Sequence, residues 1–509
     1  MKRLRIGILD LVTKAPTRAL YARVMNPNMA SIMPQALAVW CEAAGHEVHF
    51  ICYTGFEDLL EELPENLDIL FIGAFTHAAI LSYAISNMFR QRNVVTVLGG
   101  PHARCYPGDA QKYFDYVLGF TDQALVADVL ADCSQHRPMG QHLSARQQPS
   151  FLPGVKERWK FTKLALDKTA TSFKIVPMIG SLGCPYTCAF CIDSVVDYQP
   201  LSFDQIREDL RFVQDTIPNP IVGWHDPNFG VRFNDYLGAI EDSVPQGTIR
   251  FIAESSLSLL SEENVKRLAR NGFRAILPGI ESWYEMGNKS KTGKKKAREK
   301  LDHVVEHINM IMRYIPYMQA NFVLGMDTDR GAEPFELTKE FLHRSPGSFP
   351  AYSLLSAFGE AAPLNLDYQR DGRVIGFPFR FLNNNQAMNV RPQNYTWPEF
   401  YDHLIDLMKF SFSKKTMYRR FCATKAAIPR WLNIVRGISS EGYGRIKYHT
   451  LLRGLMDTDR HLRRFLDQET DVIPDFYIKR IKRELGALWQ FLPDGALAYD
   501  PNAYLKKSE

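Results

Sequence analysis

At 509 residues the chain is too long for one ordinary core, so two or three domains are expected. Its 46% hydrophobic and 23% charged residues are a globular composition, and a formal charge of +5 from 61 basic and 56 acidic residues is too balanced to demand a nucleic-acid partner. Eight cysteines without an even framework argue against a secreted disulfide scaffold and for a reducing, cytoplasmic setting.

Residues 4–10 read as a short apolar strand, and Asp10 interrupts that run too early for a signal peptide. A long loop follows, then helical spacing over 32–44 that stops at Gly45. Strand-like runs at 47–52, 69–73, 94–98 and 116–118 alternate with helix-like sequence. The apolar stretch 69–85 carries Gly73, Thr76 and His77 at its centre, so it predicts strand, loop and helix rather than a membrane span. Alternation of this kind predicts a doubly wound, flavodoxin-like open parallel sheet over residues 1–145. Ligands of such sheets sit at the carboxyl ends of the strands, here the 10–33 loop, residues 74–78 and residues 99–103. Gly99 and Gly100 would let the backbone approach a bulky ligand closely. Residues 146–170 show little periodicity, with Pro149 and Pro153-Gly154, and predict a linker.

The run Gly183-Cys184-Pro185-Tyr186-Thr187-Cys188-Ala189-Phe190-Cys191 places three thiols within eight residues, with no fourth beside them. Cys41, Cys52, Cys105, Cys133 and Cys422 are scattered singly. Three thiolates suit a four-iron cluster that keeps one iron open to a small molecule. A structural zinc ion wants four ligands, and redox chemistry of a Cys-x-x-Cys pair leaves Cys184 unexplained. Both remain alternatives at this point.

The CxxxCxxC spacing with an aromatic before the last cysteine resembles the signature of the radical S-adenosylmethionine (radical SAM) superfamily. The resemblance implies a 4Fe-4S cluster on Cys184, Cys188 and Cys191, whose open iron chelates S-adenosylmethionine and cleaves it to a 5'-deoxyadenosyl radical. It implies an external electron donor of flavodoxin or ferredoxin type. The open sheet with Leu98-Gly99-Gly100-Pro101-His102-Ala103 just before this motif resembles the cobalamin-binding domain of cobalamin-dependent members. By that likeness Asp10, Thr76, Gly99, Gly100 and His102 would lie around the corrin. The Asp-x-His-x-x-Gly motif of mutase-type cobalamin proteins is missing, so a lower cobalt ligand from it is not expected. His77 and His102 stand as neighbours of cobalt or as ordinary loop histidines.

Strand-like runs at 173–179, 221–224, 249–253, 275–278, 318–324 and 352–355, with helices at 203–213, 261–271 and 297–314, fit the partial (β/α)6 barrel of the superfamily over residues 171–360. Barrels keep working residues at the carboxyl ends of their strands. His225-Asp226-Pro227-Asn228, Glu254-Ser255-Ser256, Gly279-Ile280-Glu281-Ser282 and Gly325-Met326-Asp327 fall there. By resemblance Phe190, Asp226, Asn228, Glu254, Glu281 and Ser282 would surround S-adenosylmethionine. On local grounds Asp226 also suits a turn and Glu281 a helix start. The basic run from Lys289 to Lys296 lacks a phosphate-loop pattern and reads as a solvated loop.

Residues 361–509 have helical patterns at 397–412, 426–438, 447–455 and 477–488 and no cysteine cluster, which speaks against a second iron–sulfur centre. They are expected to close over the barrel and shape the site. Together these readings predict a cobalamin-dependent radical SAM enzyme, foremost a methyltransferase acting on unactivated carbon or phosphorus of a small molecule or lipid. A non-methylating radical enzyme and a non-catalytic cobalamin- or zinc-binding protein are the alternatives.

Overall fold

The computed structural model describes residues 2–135, 139–169, 174–284 and 296–503. The basic run from Lys289 to Lys295 lies outside them, as does Phe173 at the start of the first predicted barrel strand.

Six parallel strands, β1 (Arg5–Leu11), β2 (Glu47–Tyr53), β3 (Ile69–Ala74), β4 (Val95–Gly99), β5 (Tyr116–Leu118) and β6 (Gln141–Leu143), pair in the order β2-β1-β3-β4-β5-β6. Strand direction of build reverses at β1, which pairs with both β2 and β3, so the switch point lies there. Both faces are apolar, as a buried parallel sheet requires. Ile69 and Phe71 face one core together with Ile32, Ala36 and Trp40 of helix Ile32–Ala43. Leu70 and Ile72 face the other, which includes helix Ala79–Arg90 and runs on without a break into the barrel. The edge strand β6 has no strand-like sequence signal, since Gln141 and His142 are exposed.

Residues 146–170 are not a bare linker. Helix Val155–Leu166 packs between helix Ile32–Ala43 and helix Phe203–Thr216, with Glu157 reaching back to accept from the Gly154 N–H at 2.7 Å. Its five charged residues masked the apolar face in the sequence. One of them, Arg158, is buried and donates to Gln35 at 2.7 Å and to the Pro153 carbonyl at 2.9 Å.

The second unit is an open parallel barrel. It comprises β7 (Ile175–Met178), β10 (Ile221–Trp224), β11 (Arg250–Glu254), β12 (Phe273–Leu277), β14 (Tyr317–Leu324) and β15 (Phe349–Leu354), in that spatial order. Pro278 separates β12 from its continuation, β13 (Gly279–Glu281), which rejoins β14. A two-residue antiparallel pair, β8 (Ser181–Leu182) with β9 (Gln199–Pro200), closes the neck of the cysteine loop.

The C-terminal region is helical, with helices Trp397–Ser411, Ala427–Ile438, Tyr443–Thr458 and Asp475–Leu485 where they are expected. It also contains three helices with no clear sequence signal, Pro363–Arg370, Lys414–Ala423 and Arg460–Leu466. This region packs on the first sheet as well as on the barrel. Phe379 meets Tyr106 at 4.6 Å between ring centres, and Asn87 donates to the Phe491 carbonyl at 2.8 Å. No helix among the described residues is long and apolar enough to cross a membrane.

Candidate functional site

A cavity of about 320 Å³ lies between the two units. From the first sheet it is lined by Gly73 and Ala74 at the end of β3, Gly99 and Gly100 at the end of β4, and Gly119 after β5. From the barrel come Ile179, Leu182, Gly183, His225 and Pro227. The glycines do different jobs. A Cβ on Gly99 would meet no atom within 4 Å, so that position keeps the wall open by choice of residue. Gly100 has φ +93 and its Cβ would stand 2.9 Å from the Ala74 carbonyl, so it is required by the backbone itself.

Of the five residues assigned to a corrin from sequence, the cavity is lined by Gly99 and Gly100. Asp10 is buried behind the wall, where Oδ2 accepts from the N–H of Ser31, a lining residue. Burial raises its carboxyl pKa to about 6, against the opposing pull of that hydrogen bond. Thr76 is buried off the cavity and pairs with the Cys105 thiol. His102 is a core residue. Its Nε2 lies 2.6 Å from the Tyr83 hydroxyl, which donates to Asp109, and the Phe379 ring closes over it at 4.7 Å. Burial lowers the imidazole pKa to about 3. The helix that places Pro101 and Arg104 on the cavity turns His102 inward, which is why a loop reading of this residue fails.

His225 is the histidine that does line the cavity, from the barrel side, where loss of solvent, then the Arg158 charge, lowers its pKa to about 4. Phe75, another lining residue, stacks on His77 at 5.9 Å. Lys14 lies beyond His77 and makes no hydrogen bond or ion pair among the described residues; burial, then Arg380, lowers its pKa to about 7. Neither Lys14 nor Arg380 carries a sequence signal.

The cysteine loop stands at the carboxyl end of β7. Gly183 enters it at φ +67, where a Cβ would collide with the Asp197 carbonyl at 2.3 Å. Inside the loop, Cys184 N–H donates to Val196 at 3.3 Å, Cys191 N–H donates to Cys188 at 2.9 Å, and the Ser194 hydroxyl donates to the Cys191 carbonyl at 2.7 Å. Cys184 and Cys188 are buried, Cys191 is half-buried, and none is in a disulfide. Among the described residues no three His, Cys, Asp or Glu side chains converge on a single metal ion. A cubane takes one thiolate per iron and does not need such convergence, so three free cysteines in a loop whose backbone is held by these bonds fit a cluster.

Three units brace this loop. Tyr186 pairs with Ser258 at 2.7 Å and accepts from Ser256 at 3.4 Å, tying the loop to the end of β11. The Leu364 N–H donates to the Ala189 carbonyl at 2.9 Å from the C-terminal region. From the first sheet, Arg104 donates to the Ile192 carbonyl at 2.9 Å, pairs with Asp193 at 3.5 Å and lies over the Phe120 ring at 4.9 Å. Arg104, Asp193 and Phe120 all line the cavity, so one guanidinium joins its wall to the cysteine loop.

The residues assigned to S-adenosylmethionine do not line that cavity; they stand in the cysteine loop and at or just after the ends of β10, β11 and β13. Phe190 is half-buried within the loop. Asp226 is buried and accepts from the Gly180 N–H at 3.0 Å, from Ser181 at 2.7 Å and from the Tyr236 hydroxyl. These bonds set the chain leading into the loop, and burial still raises the carboxyl pKa against them. Asn228 accepts from the Ser256 N–H at 2.9 Å, while the Glu254 carbonyl accepts from Phe229 at 2.8 Å and leaves its side chain exposed at the strand end. Glu281 is half-buried in the left-handed region at φ +64, which costs a non-glycine residue about 1–3 kcal/mol. Ser282 is buried; its hydroxyl accepts from the Tyr284 N–H at 3.2 Å and its carbonyl accepts from the Lys300 ammonium.

The strand ends of the open parallel sheet thus share one cavity with Gly183 and Asp193, which flank the three cysteines at the barrel mouth. The family model of the Radical SAM superfamily matches residues 178–335. Over 316 residues the chain is 21% identical to bacteriochlorophyllide d C-12(1)-methyltransferase of Chlorobaculum tepidum, covering 58% of this chain and 66%, just under two thirds, of that relative. Among solved structures it is similar to the radical S-adenosylmethionine methyltransferase TsrM of Kitasatospora setae, with tryptophan and a SAM analogue bound: TM-score 0.57, 13% identity, 94% of this chain and 99% of that one. The cobalamin-dependent S-adenosylmethionine radical enzyme OxsB, with aqua-cobalamin and S-adenosylmethionine bound, aligns at TM-score 0.54 and 12% identity over 100% of this chain and 81% of that one. Residues 178–335 thus carry a radical SAM domain, and the chain as a whole has the fold of TsrM and OxsB.

Proposed function

We propose that this enzyme is a cobalamin-dependent radical SAM methyltransferase that methylates an unactivated carbon, or phosphorus, of a small-molecule or lipid substrate. The observation that carries the reading is the shared cavity: the glycine-edged strand ends of the first sheet line one space with Gly183 and Asp193, which flank the three cysteines. When bound, the cluster with S-adenosylmethionine supplies a carbon radical by one-electron chemistry, and the corrin supplies the methyl group. Cys184, Cys188 and Cys191 hold the cluster. Gly99, Gly100 and the segment pinned by Asp10 receive the corrin. Phe190, Glu254, Glu281 and Ser282 orient S-adenosylmethionine, while Asp226, Asn228 and Tyr186 hold the loop in place for it. The apolar wall keeps water from the reacting atoms. An external reductant of flavodoxin or ferredoxin type and a cytosolic setting complete the reading.

Anaerobic reconstitution with iron, sulfide and cobalamin tests it. Four irons per chain, bound corrin, 5'-deoxyadenosine formation and transfer of label from methyl-deuterated S-adenosylmethionine are expected. Stoichiometric zinc without deoxyadenosine would refute every radical reading. Deoxyadenosine with no labelled product from the true substrate would favour a radical reaction without methyl transfer, a reading that the likeness to OxsB keeps in view.

A further inference from the structure

The overall charge hides an asymmetry. Between residues 413 and 456 stand ten lysines and arginines against one acidic residue, Glu441, which is held in an ion pair by Arg436. Helix Ala427–Ile438 within this segment buries only Asn433 and Gly437. Ile428, Trp431, Val435 and Ile438 are 55%, 61%, 44% and 54% exposed. Spaced by three or four residues, they lie along one face of the helix, and Phe421 supports the Trp431 ring at 5.2 Å. Tyr418 and Leu451 add exposed apolar surface from the neighbouring helices. Leu20, 78% exposed, belongs to the same side of the molecule, because its neighbour Tyr21 donates to Glu441. Lys414, Lys415, Lys425 and Lys447 are exposed around this ridge.

We propose that this face docks the enzyme on an anionic lipid bilayer, with the Ile428, Trp431, Val435 and Ile438 ridge inserted at the headgroup level and the flanking lysines on the lipid phosphates. A bilayer offers the two things that the face needs together, acyl chains for the apolar ridge and negative charge for its rim. A second copy of this chain offers only the first, since an isologous contact would bring like lysine clusters against each other. A protein partner would meet a rim of lysine, a residue that protein interfaces tend to lack. The inference concerns where the enzyme works and does not depend on its reaction.

The test is co-sedimentation of the reconstituted enzyme with vesicles of phosphatidylcholine alone and of phosphatidylcholine with one third phosphatidylglycerol. Binding to the anionic vesicles at least about tenfold stronger than to the neutral ones is expected, and high salt should weaken it. Trp431→Ser with Ile438→Ser, and separately Lys414→Glu with Lys415→Glu, should each cut binding about tenfold at unchanged melting temperature and iron content. Equal binding to both vesicles, or variants that bind like the wild type, would overturn the proposal. So would a concentration-dependent dimer, or saturable binding of a flavodoxin, that Trp431→Ser abolishes, because the face would then belong to that partner.

Discussion

Gly99 and Gly100 are adjacent in sequence and line one cavity, yet the structure predicts opposite outcomes for adding a side chain to them. At Gly99 the φ is ordinary and a Cβ meets nothing within 4 Å. Gly99→Val should leave the cofactor-free fold intact, and loss of glycine freedom in the unfolded chain should add about 0.4–1 kcal/mol. On the proposed reading the same side chain would stand in the space that the corrin takes. Overpacking typically costs about 1–3 kcal/mol, or about five- to 150-fold in affinity. At Gly100 the left-handed φ and the 2.9 Å approach to the Ala74 carbonyl put the cost in the fold, so Gly100→Ala should destabilise by about 1–3 kcal/mol. Melting of the cobalamin-free protein and equilibrium dialysis with hydroxocobalamin measure the two quantities separately. If Gly99→Val bound hydroxocobalamin like the wild type, the corrin would not lie against the end of β4; if it melted as early as Gly100→Ala, the space at Gly99 would not be open.

Further predictions concern the loop and the switch point. Cys188→Ala should lose the cluster and all 5'-deoxyadenosine formation, read by iron content and chromatography; turnover without iron loss would refute the ligand assignment. Arg104→Ala removes a charged hydrogen bond to Ile192 of about 1.5–3 kcal/mol and the tie to Asp193, so hydroxocobalamin affinity should fall by about tenfold or more while iron content holds. Unchanged affinity would show that the two sites are braced independently. Asp10 has a folded pKa raised from 3.8 to about 6, so its protonated form favours the fold fully below about pH 4 and that contribution is lost as pH rises through 6. Two pKa units correspond to about 3 kcal/mol. Asp10→Asn keeps an acceptor for Ser31 and should be the more stable protein at pH 8 but not at pH 4.5. An equal difference in urea midpoint at both pH values would contradict this.

What the sequence revealed and what it concealed divide along a physical line. The strand at residues 69–74 is legible because a parallel strand buried on both faces must be apolar throughout. The three cysteines are legible because cluster ligation demands that residue type at short spacing. Helix Val155–Leu166 was hidden because Arg158, a residue that normally marks the surface, is buried here on Gln35, a partner 123 residues away. His102 misled for a related reason. A histidine after Gly-Gly-Pro at a strand end has the local setting of a ligand, and only the fold shows that Tyr83, Asp109 and Phe379 enclose it.

The cavity itself depends on contacts that no local pattern encodes. Gly73, Gly99 and Gly119 come from three strands, and His225 comes from the barrel more than a hundred residues later. Arg104 shows what this arrangement achieves. Its side chain is 14% exposed, too buried for the bond to Ile192 and the pair with Asp193 to be screened as surface contacts are. Moving the sheet relative to the barrel would therefore break a charged hydrogen bond in a poorly hydrated place, and the continuous apolar core behind it would open at the same time. On the proposed reading, one substrate atom would meet first one cofactor and then the other, which leaves no room for drift between the sheet and the barrel. The Arg104 guanidinium that joins them, together with the shared core, would hold that distance.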